Sequence, residues 1–267
     1  MQKMKRKLEL LRWHAYYDGW PLTIRRIALR GLAKAGLAKS DPATLQNSSD
    51  QKFDRRFRVH TRGVVETDQL HLPENRKEHA VEYLPTSAAS LGWLLSRLPV
   101  SHSEYAFIDL GSGKGRMLLV ASEFPFQQIE GVELSTELHQ IAEQNIQNFR
   151  SRNIRCPNTR SLNQDATQYE FPNLPLILFL FNPFSAEVLI PVVEKLLTSL
   201  QADPRPVYVI YHNPQHSDVF DQTGLFQEGF EDLQPGTGWK SYTNNFTRFE
   251  SRDSNLSPEN NRPIVSQ

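Results

Sequence analysis

Three glycines and two acids are the residues of this chain whose types and spacing best suit ligand chemistry. The glycines alternate in the segment Gly111-Ser112-Gly113-Lys114-Gly115, which lets the backbone turn tightly and approach a ligand closely. Asp109 precedes this segment by two positions, and Glu133 follows Asp109 by 24 positions. At that distance the acid that ends a second strand meets ribose hydroxyls in a nucleotide-binding unit. The pattern therefore predicts a site for a nucleoside-bearing cofactor.

A strand, a tight turn and a helix must position these residues. Residues 107–110 are a short apolar run typical of a buried parallel strand, residues 116–124 predict a helix, and residues 129–133 predict the next strand. Strand and helix patterns continue to alternate along the chain, which indicates a doubly wound, mostly parallel α/β sheet. Two further strand patterns, residues 226–233 and 245–250, predict an antiparallel C-terminal hairpin.

The glycine spacing distinguishes between cofactors. A dinucleotide site has GxGxxG, whereas this chain has GxGxG with Arg116 at the third fingerprint position. Asp109 would repel a pyrophosphate but suits a cationic ligand. The segments Asp-Leu-Gly-Ser-Gly-Lys-Gly-Arg and Gly-Val-Glu-Leu-Ser resemble the cofactor site of class I S-adenosylmethionine-dependent methyltransferases. The resemblance implies that Gly111, Gly113 and Gly115 form the loop, that Asp109 orders the ammonium end and that Glu133 holds the ribose.

The same resemblance implies further contacts with the cofactor. An acid followed by a small residue, here Asp165-Ala166, would bond the adenine amino group after a third strand that includes residues 154–156. Tyr83 and Thr86 would reach across the cofactor from the turn before a helix. The alternatives are local: Asp165 as a strand-end cap, and Thr86 or Ser87 as an ordinary helix cap.

The most apolar run of the chain ends on Asn182-Pro183-Phe184, at the strand end that faces the ligand crevice of an open α/β sheet. This tripeptide resembles the segment that grips the target nitrogen in amino-methylating class I enzymes. Asn182 would accept a hydrogen bond from an amine, and Phe184 would stack on the acceptor. Tyr211 and His212, at the end of the following strand, are the candidate proton acceptors. The adenine-modifying version carries two prolines, so base methylation is disfavoured.

Residues 1–39 carry ten Lys or Arg against Glu9 and Asp18, a net charge of +8 in a chain whose formal net charge is zero. They predict two helices broken near Gly19, the second of them basic and amphipathic. We favour a solvated basic face on a helix that packs against the body. Peripheral contact with a membrane, with nucleic acid or with an acidic partner is the alternative.

The predicted organisation is a basic helical extension with a polar linker over residues 1–51, a methyltransferase domain over 52–250 and a disordered tail over 251–267. Residues 53–63 mix aromatic and charged side chains, which seldom form a core. They resemble a segment that precedes the cofactor domain in a group of bacterial class I methyltransferases, with His60 where those have Asp. Two interpretations stay open for this segment: a lid on the substrate side, or an Arg–Asp latch that pins the extension to the body.

The composition excludes several classes of protein. The single cysteine, Cys156, rules out an internal disulfide and a cysteine-cluster zinc site, and no metal is expected. The longest apolar run is far too short to span a membrane, and no secretory signal is visible, which predicts a cytoplasmic protein.

The sequence as a whole predicts a methyltransferase that uses S-adenosyl-L-methionine to methylate an amine, with a protein as the first expectation. A small-molecule acceptor, or a non-catalytic cofactor-binding module that acts through its basic helices, is the alternative. A nicotinamide oxidoreductase would share the strand–turn–helix unit, but the GxGxG spacing and Asp109 disfavour it.

Overall fold

A seven-stranded sheet forms the centre of the computed structural model, which describes residues 2–37, 42–229 and 238–244. The strand order is β3-β2-β1-β4-β5-β7-β6, and β7 runs antiparallel to both of its neighbours while the other pairs are parallel. The doubly wound, mostly parallel sheet and its antiparallel C-terminal pair are therefore confirmed. The strands are β1 (Ala106–Leu110), β2 (Gln128–Glu133), β3 (Thr159–Asn163), β4 (Leu176–Phe181), β5 (Val207–His212), β6 (Phe226–Glu228) and β7 (Trp239–Asn244).

Helices cover both faces of the sheet, as a buried parallel sheet requires. Because side chains alternate along a strand, Phe107 and Phe179 face one apolar cluster while Ile108 and Leu178 face another. The α helices of the described residues are α1 (Gln2–Asp18), α2 (Trp20–Lys34), α3 (Pro42–Phe57), α4 (Glu74–Lys77), α5 (Ala88–Arg97), α6 (Arg116–Ala121), α7 (Thr136–Asn148), α8 (Ala186–Ala202) and α9 (Asp218–Asp221).

The strand order reverses between β1 and β4, which opens a crevice beyond the carboxyl ends of the strands. Leu110 pairs with Val132 on one side and with Leu180 on the other. The ends of β1, β2 and β4 therefore lie level with one another. Neighbouring strands are about 4.8 Å apart, so the segments that follow these three ends meet at one place.

The N-terminal helices pack against the body instead of extending from it. Tyr17 of α1 and Phe53 and Phe57 of α3 are buried in the same cluster as α5 and α6. The polar linker predicted up to residue 51 is wrong for its described part, because residues 42–51 belong to α3. Apolar residues on one side of α3 bury that helix, so its aromatic residues enter the core, which the mixed composition did not suggest.

Two boundary predictions can be compared directly with the structure. The break near Gly19 is confirmed: α1 ends at Asp18, α2 begins at Trp20, and Gly19 has a φ of 80°. The third strand was placed too early at residues 154–156. The N–H groups of Arg155 and Cys156 donate to the carbonyl of Ser122, which holds this segment against the end of α6.

Part of the C-terminal prediction lies outside the described residues. The strand predicted over 226–233 is present at Phe226–Glu228, and its pairing partner is β7, at residues 239–244. The strand predicted over 245–250 and the tail over 251–267 are not among the described residues. None of the described helices is long and apolar enough to cross a bilayer. Within the described ranges, no group of three or more His, Cys, Asp and Glu residues is placed to hold a metal ion.

Candidate cofactor and acceptor site

A cavity lies at the carboxyl ends of β1, β2 and β4 and encloses about 1150 Å³ of empty space, including the part open to solvent. Most of the predicted site residues line it, whereas Gly115, Tyr211 and His212 do not. The predicted residues that line the cavity are Tyr83, Thr86, Asp109, Gly111, Gly113, Glu133, Asp165, Asn182 and Phe184.

Asp109 is a buried carboxyl that has no partner among the described residues. Its side chain lines the cavity at 2% exposure and forms no hydrogen bond with a described residue. Burial raises the pKa of Asp109 well above its usual value, and the nearby charge of Glu133 raises it further. Because an unpaired buried carboxylate is costly, a cationic group in the cavity would stabilise its charged form. Asp109 is therefore suited to a cationic group of a ligand.

Glu133, by contrast, is held by the backbone. Its two carboxyl oxygens accept hydrogen bonds from the N–H of Gly113 at 2.7 Å and from the N–H of Ser135 at 2.8 Å. Burial raises the pKa of Glu133, while these backbone hydrogen bonds oppose the shift. Each carboxylate oxygen can accept more than one bond, so Glu133 keeps capacity for ribose hydroxyls. The contact between Glu133 and Gly113 also fixes the loop relative to β2.

The glycines at 111 and 113 are required by close packing as well as by backbone conformation. Their φ values are 76° and 53°. A Cβ at Gly111 would lie 2.3 Å from Cβ of Pro183, and a Cβ at Gly113 would lie 2.3 Å from the ring of Tyr83. Pro183 and Tyr83 form walls of the cavity, and the two glycines allow these walls to approach the loop closely. Pro183 also brings residues 182–184, here named the acceptor segment, into contact with residues 111–115, here named the glycine loop.

Gly115 differs from the prediction that it contacts the cofactor. It lies outside the cavity lining, has a φ of 77°, and immediately precedes α6. A Cβ on Gly115 would lie 3.0 Å from Cβ of Ala142 in α7. Gly115 therefore serves the turn and the close approach of α7 to the start of α6.

Arg116, the first residue of α6, connects the glycine loop to the N-terminal helices. Its guanidinium, only 3% exposed, pairs with Asp50 and donates from Nε to Oγ1 of Thr61 at 2.7 Å. Asp54 accepts the hydroxyl of the same Thr61 at 2.7 Å, and the Arg116 guanidinium lies over the ring of Phe53. These contacts support the Arg–Asp latch as the interpretation of residues 53–63. In the sequence, Arg116 is only a departure from the dinucleotide fingerprint, and its partners are too distant along the chain to be predicted.

Residues 64–87 run over the cavity, and we name this segment the strap. Val65 and Tyr83 form an antiparallel bridge near one end, and the Tyr83 hydroxyl donates to the carbonyl of Thr61 at 2.6 Å. Ala80 forms a second bridge with Phe184 on the acceptor side. The strap therefore connects the glycine loop with the acceptor segment.

The end of the strap resolves the alternatives for the helix cap. Ser87, and not Thr86, caps α5, with its hydroxyl 3.4 Å from the N–H of Ser90. Thr86 lines the cavity, and its carbonyl accepts a hydrogen bond from Arg116 at 3.3 Å. The side chain of Thr86 is thus not needed as a cap and remains a candidate cofactor contact.

Asp165 follows β3, lines the cavity and is already engaged with protein groups. It accepts the N–H of Thr167 at 2.9 Å, which caps a short 3-10 helix, and it accepts Nε of Arg76 at 2.8 Å. Asp165 therefore acts as a helix cap and also lines the cavity. Arg76, from α4 in the strap, was missed because nothing in the sequence links it to a residue 89 positions away.

Asn182 stands at the acceptor end of the cavity in an unusual conformation. Its φ is 39°, in the left-handed region that, apart from glycine, asparagine and aspartate adopt most readily, and its side chain is buried. The hydroxyl of Tyr211 donates to Oδ1 of Asn182 at 3.4 Å, a long hydrogen bond. Burial raises the pKa of Tyr211 to about 12. Tyr211 thus differs from the predicted proton acceptor: it keeps its proton at neutral pH and orients the amide of Asn182.

His212 is packed between aromatic rings and is not among the residues that line the cavity. Its ring stacks on Trp239 at 4.0 Å between centroids, and Phe181 lies 4.2 Å away on centroids. Burial lowers the pKa of His212 to about 4, and its Nδ1 has no hydrogen-bond partner among the described residues. The imidazole is therefore neutral, and its role as a proton acceptor stays a prediction. Phe181 and Asn213 line the cavity instead, which strand-end position alone could have indicated.

Comparison with known proteins gives a match to the part of the chain that contains the glycine loop. Residues 67–160 match the family model described as "Histone methylation protein DOT1". The match covers about a third of the chain, and it includes the glycine loop, Asp109 and Glu133. This is the cofactor site of an S-adenosylmethionine-dependent methyltransferase. The predicted enzyme class and cofactor are thereby confirmed, whereas Asn182 and its neighbours lie outside the matched residues.

Several solved structures are similar to this chain at low identity. A ribosomal protein L11 methylase from Lactobacillus delbrueckii subsp. bulgaricus is 15% identical, with a TM-score of 0.44 over 65% of this chain and 83% of that one. An RNA methyltransferase from Salinibacter ruber, in complex with S-adenosyl-L-homocysteine, is 16% identical, with a TM-score of 0.39 over 60% and 92%. A predicted N6-adenine-specific DNA methylase from Listeria monocytogenes is 12% identical, with a TM-score of 0.43 over 60% and 51%. No curated protein matches the chain.

Proposed function

We propose that the protein transfers a methyl group from S-adenosyl-L-methionine to an amine carried by a protein. The observation that carries this proposal is the amide of Asn182, held by Tyr211 at the acceptor end of the cavity in a left-handed conformation. Strained backbone of this kind persists where the surrounding structure enforces it, often at a functional site. The description of the matched family as a histone methylation protein supports a protein acceptor.

The cofactor end of the proposed site uses the residues that surround the glycine loop. Asp109 would pair with the ammonium group and Glu133 would accept the ribose hydroxyls, with Gly111 and Gly113 allowing close approach. Tyr83, Thr86 and Asp165, which also line the cavity, would cover the rest of the cofactor. When bound, the cofactor supplies a methyl group activated by a sulfonium.

The acceptor end positions an amine and keeps it uncharged. Phe181, Phe184 and Val188 form apolar walls beside Asn182. An apolar site disfavours the ammonium form, so the amine would react with its lone pair free. Asn182 would accept a hydrogen bond from the amine and aim it along the line of transfer, which is a contribution of positioning. No described group near Asn182 needs to act as a base, because the proton can leave before the amine enters.

The strap gives one specific reason to keep a small-molecule acceptor as the second candidate. It bridges to Phe184 through Ala80, and His79 bonds Ser185 at 3.0 Å between Nδ1 and Oγ. These contacts cover the acceptor side of the cavity and narrow the route for a large substrate. A protein acceptor would then enter with a single extended side chain.

The test of this proposal uses labelled methyl donor and an acceptor whose amines can be blocked. Purified histone is offered to the wild-type protein beside the same histone with its amines acetylated. The proposal predicts label on the untreated histone that survives mild base, as N-methyl groups do, and none on the acetylated histone. Label that base releases, or label that enters only small amine or hydroxyl compounds while protein amines stay unlabelled, would contradict it.

A further inference from the structure

Helix α2 presents apolar side chains to solvent. Trp20, Ile24 and Ile27 are 62%, 59% and 48% exposed, and their spacing of three to four residues places them on one face of the helix. Leu22, on the other side of the helix, is buried against the body, and so is Thr23 at the edge of the apolar face. An ordinary amphipathic helix buries its apolar face and exposes a polar one. Helix α2 has, besides its buried side, a second apolar face that has no partner among the described residues.

Exposed apolar residues concentrate in this part of the molecule. Single exposed apolar side chains are normal on a protein surface, whereas a contiguous group marks an interaction site. Among the described residues, seven of the twelve large apolar side chains that are exposed lie within residues 2–37. The seven are Met4, Leu8, Trp20, Ile24, Ile27, Leu32 and Leu37.

Helix α2 is held firmly in place, so its outer face has a fixed orientation. Asp18 pairs with Arg26 at 3.5 Å, and Arg26 also donates to the carbonyl of Leu45 in α3 at 3.3 Å. The hydroxyl of Thr23 donates to the carbonyl of Gly19 at 3.1 Å, where the chain turns into α2. These contacts use the inner face and leave the outer face free for a partner.

The charge around this face is strongly positive. Arg25 and Arg30 are exposed, lie on either side of the apolar face and form no ion pair with a described residue. The two acids of residues 1–39 are engaged elsewhere: Glu9 pairs with Arg97 at 3.5 Å, and Asp18 is buried. Arg25 and Arg30 thus present their positive charge at the surface, with no acid of the described residues paired to either of them.

Charge decides between the surfaces that could cover this face. A second copy of the chain would bring two regions of equal positive charge together, and like-charge juxtaposition of this kind opposes association. A helix with a tryptophan and aliphatic residues on one face and arginines at its margins is suited to the boundary between headgroups and acyl chains. We propose that the outer face of α2, formed by Trp20, Ile24 and Ile27 between Arg25 and Arg30, docks on an anionic lipid bilayer.

Vesicle sedimentation with the full chain tests this proposal. Vesicles of phosphatidylcholine alone are compared with vesicles that also contain phosphatidylserine, at low and at high salt. The proposal predicts sedimentation with the anionic vesicles only, and its loss as salt screens the arginines. Equal sedimentation with both kinds of vesicle, or with neither, would overturn it.

Matched substitutions separate the outer face of α2 from general surface effects. Ile24→Glu should lower the affinity for anionic vesicles by about tenfold or more, and Arg25→Glu with Arg30→Glu should do the same. Ile190→Glu, at an exposed isoleucine of α8, is the control and should leave binding unchanged. All variants should keep the wild-type melting temperature and affinity for S-adenosylhomocysteine. An equal loss of binding in Ile190→Glu would show a non-specific effect of the added charge and overturn the proposal. A wild-type dimer that Ile24→Glu dissociates would show that a second copy of the chain, and not a membrane, covers this face.

Discussion

The two loops that meet in the cavity are built in different ways. The loop after β1 is made of backbone: its glycines have positive φ, Gly113 donates its N–H to Glu133, and the adjacent Asp109 carboxyl has no described partner. The segment after β4 is made of side chains, with Asn182 held by Tyr211 and Phe184 bridged to the strap. Beside the first loop, the carboxyl of Asp109 is therefore available to pair with a cationic ligand group. The second segment instead surrounds the amide of Asn182 with apolar side chains.

This difference explains why the cofactor is easier to identify than the acceptor. A charged group and a backbone loop at a fixed spacing select one ligand chemistry. Apolar walls and a single amide accept any amine of suitable shape. The family match also covers the first loop and stops before the second.

The largest expected effect concerns the attachment of the first loop to the N-terminal helices. Arg116→Met would leave Asp50 and Asp54 buried without their cation, at a cost of about 3–5 kcal/mol in the free energy of unfolding. Denaturant unfolding measures this loss. Arg97→Met, which breaks the more exposed pair with Glu9, is the matched control and should cost less than about 1 kcal/mol. Similar costs for the two variants would show that Arg116 does not fasten the loop.

The second loop is tested by removing the amide of Asn182. Asn182→Ala should lower turnover by roughly 100-fold through lost positioning of the acceptor, while the affinity for S-adenosylhomocysteine stays within about twofold. Because residue 182 has a positive φ, Asn182→Gly serves as the control for backbone strain. Steady-state kinetics should give the same loss for both variants. Full activity in Asn182→Gly would mean that the amide is not used.

The unpaired state of Asp109 predicts a pH dependence of cofactor binding. Burial raises the pKa of Asp109 well above its usual value, so the unliganded protein keeps Asp109 neutral up to a higher pH than an exposed aspartate. Since only the charged form pairs with an ammonium group, the affinity for S-adenosylhomocysteine should increase as pH rises through that pKa. The folding stability of the unliganded protein depends on pH with the opposite sign. Because the folded state holds the proton of Asp109 more tightly than the unfolded state, the free energy of unfolding should fall as pH rises towards the raised pKa. Calorimetric titrations at several pH values measure the first effect, and an affinity that falls or stays flat with pH contradicts it.

The smallest expected effect is at His212. His212→Phe keeps a ring between Phe181 and Trp239, so turnover should remain within about twofold of wild type. A general base would contribute about 100-fold or more. The pH–rate profile of the wild type should likewise show no inflection from His212 near pH 6.5, because burial lowers its pKa to about 4. A large loss in His212→Phe would restore His212 as a proton acceptor.

The sequence was informative where local pattern and sheet topology agree. The glycine spacing, Asp109 and Glu133 sit on consecutive elements, so their meeting follows from the strand order. Long-range partners could not be predicted in this way: Arg116 meets Asp50 across 66 positions and Arg76 meets Asp165 across 89. Burial was also hidden, because α3 is polar by composition although Phe53 and Phe57 enter the core. Tyr211 and His212 were assigned from strand-end position, which does not tell whether a side chain points into the cavity or into the core.

The most direct test of this division between the loops is a calorimetric titration with S-adenosylhomocysteine of three proteins side by side: wild type, Asp109→Asn and Asn182→Ala. The account predicts saturable binding to wild type and to Asn182→Ala with similar affinity, and binding weakened by about 10- to 100-fold in Asp109→Asn through the lost charge. Asp109→Asn should remain folded, with a melting temperature at least equal to wild type, because it removes an unpaired buried carboxyl. Undiminished affinity in Asp109→Asn, or a matching loss in Asn182→Ala, would contradict the account.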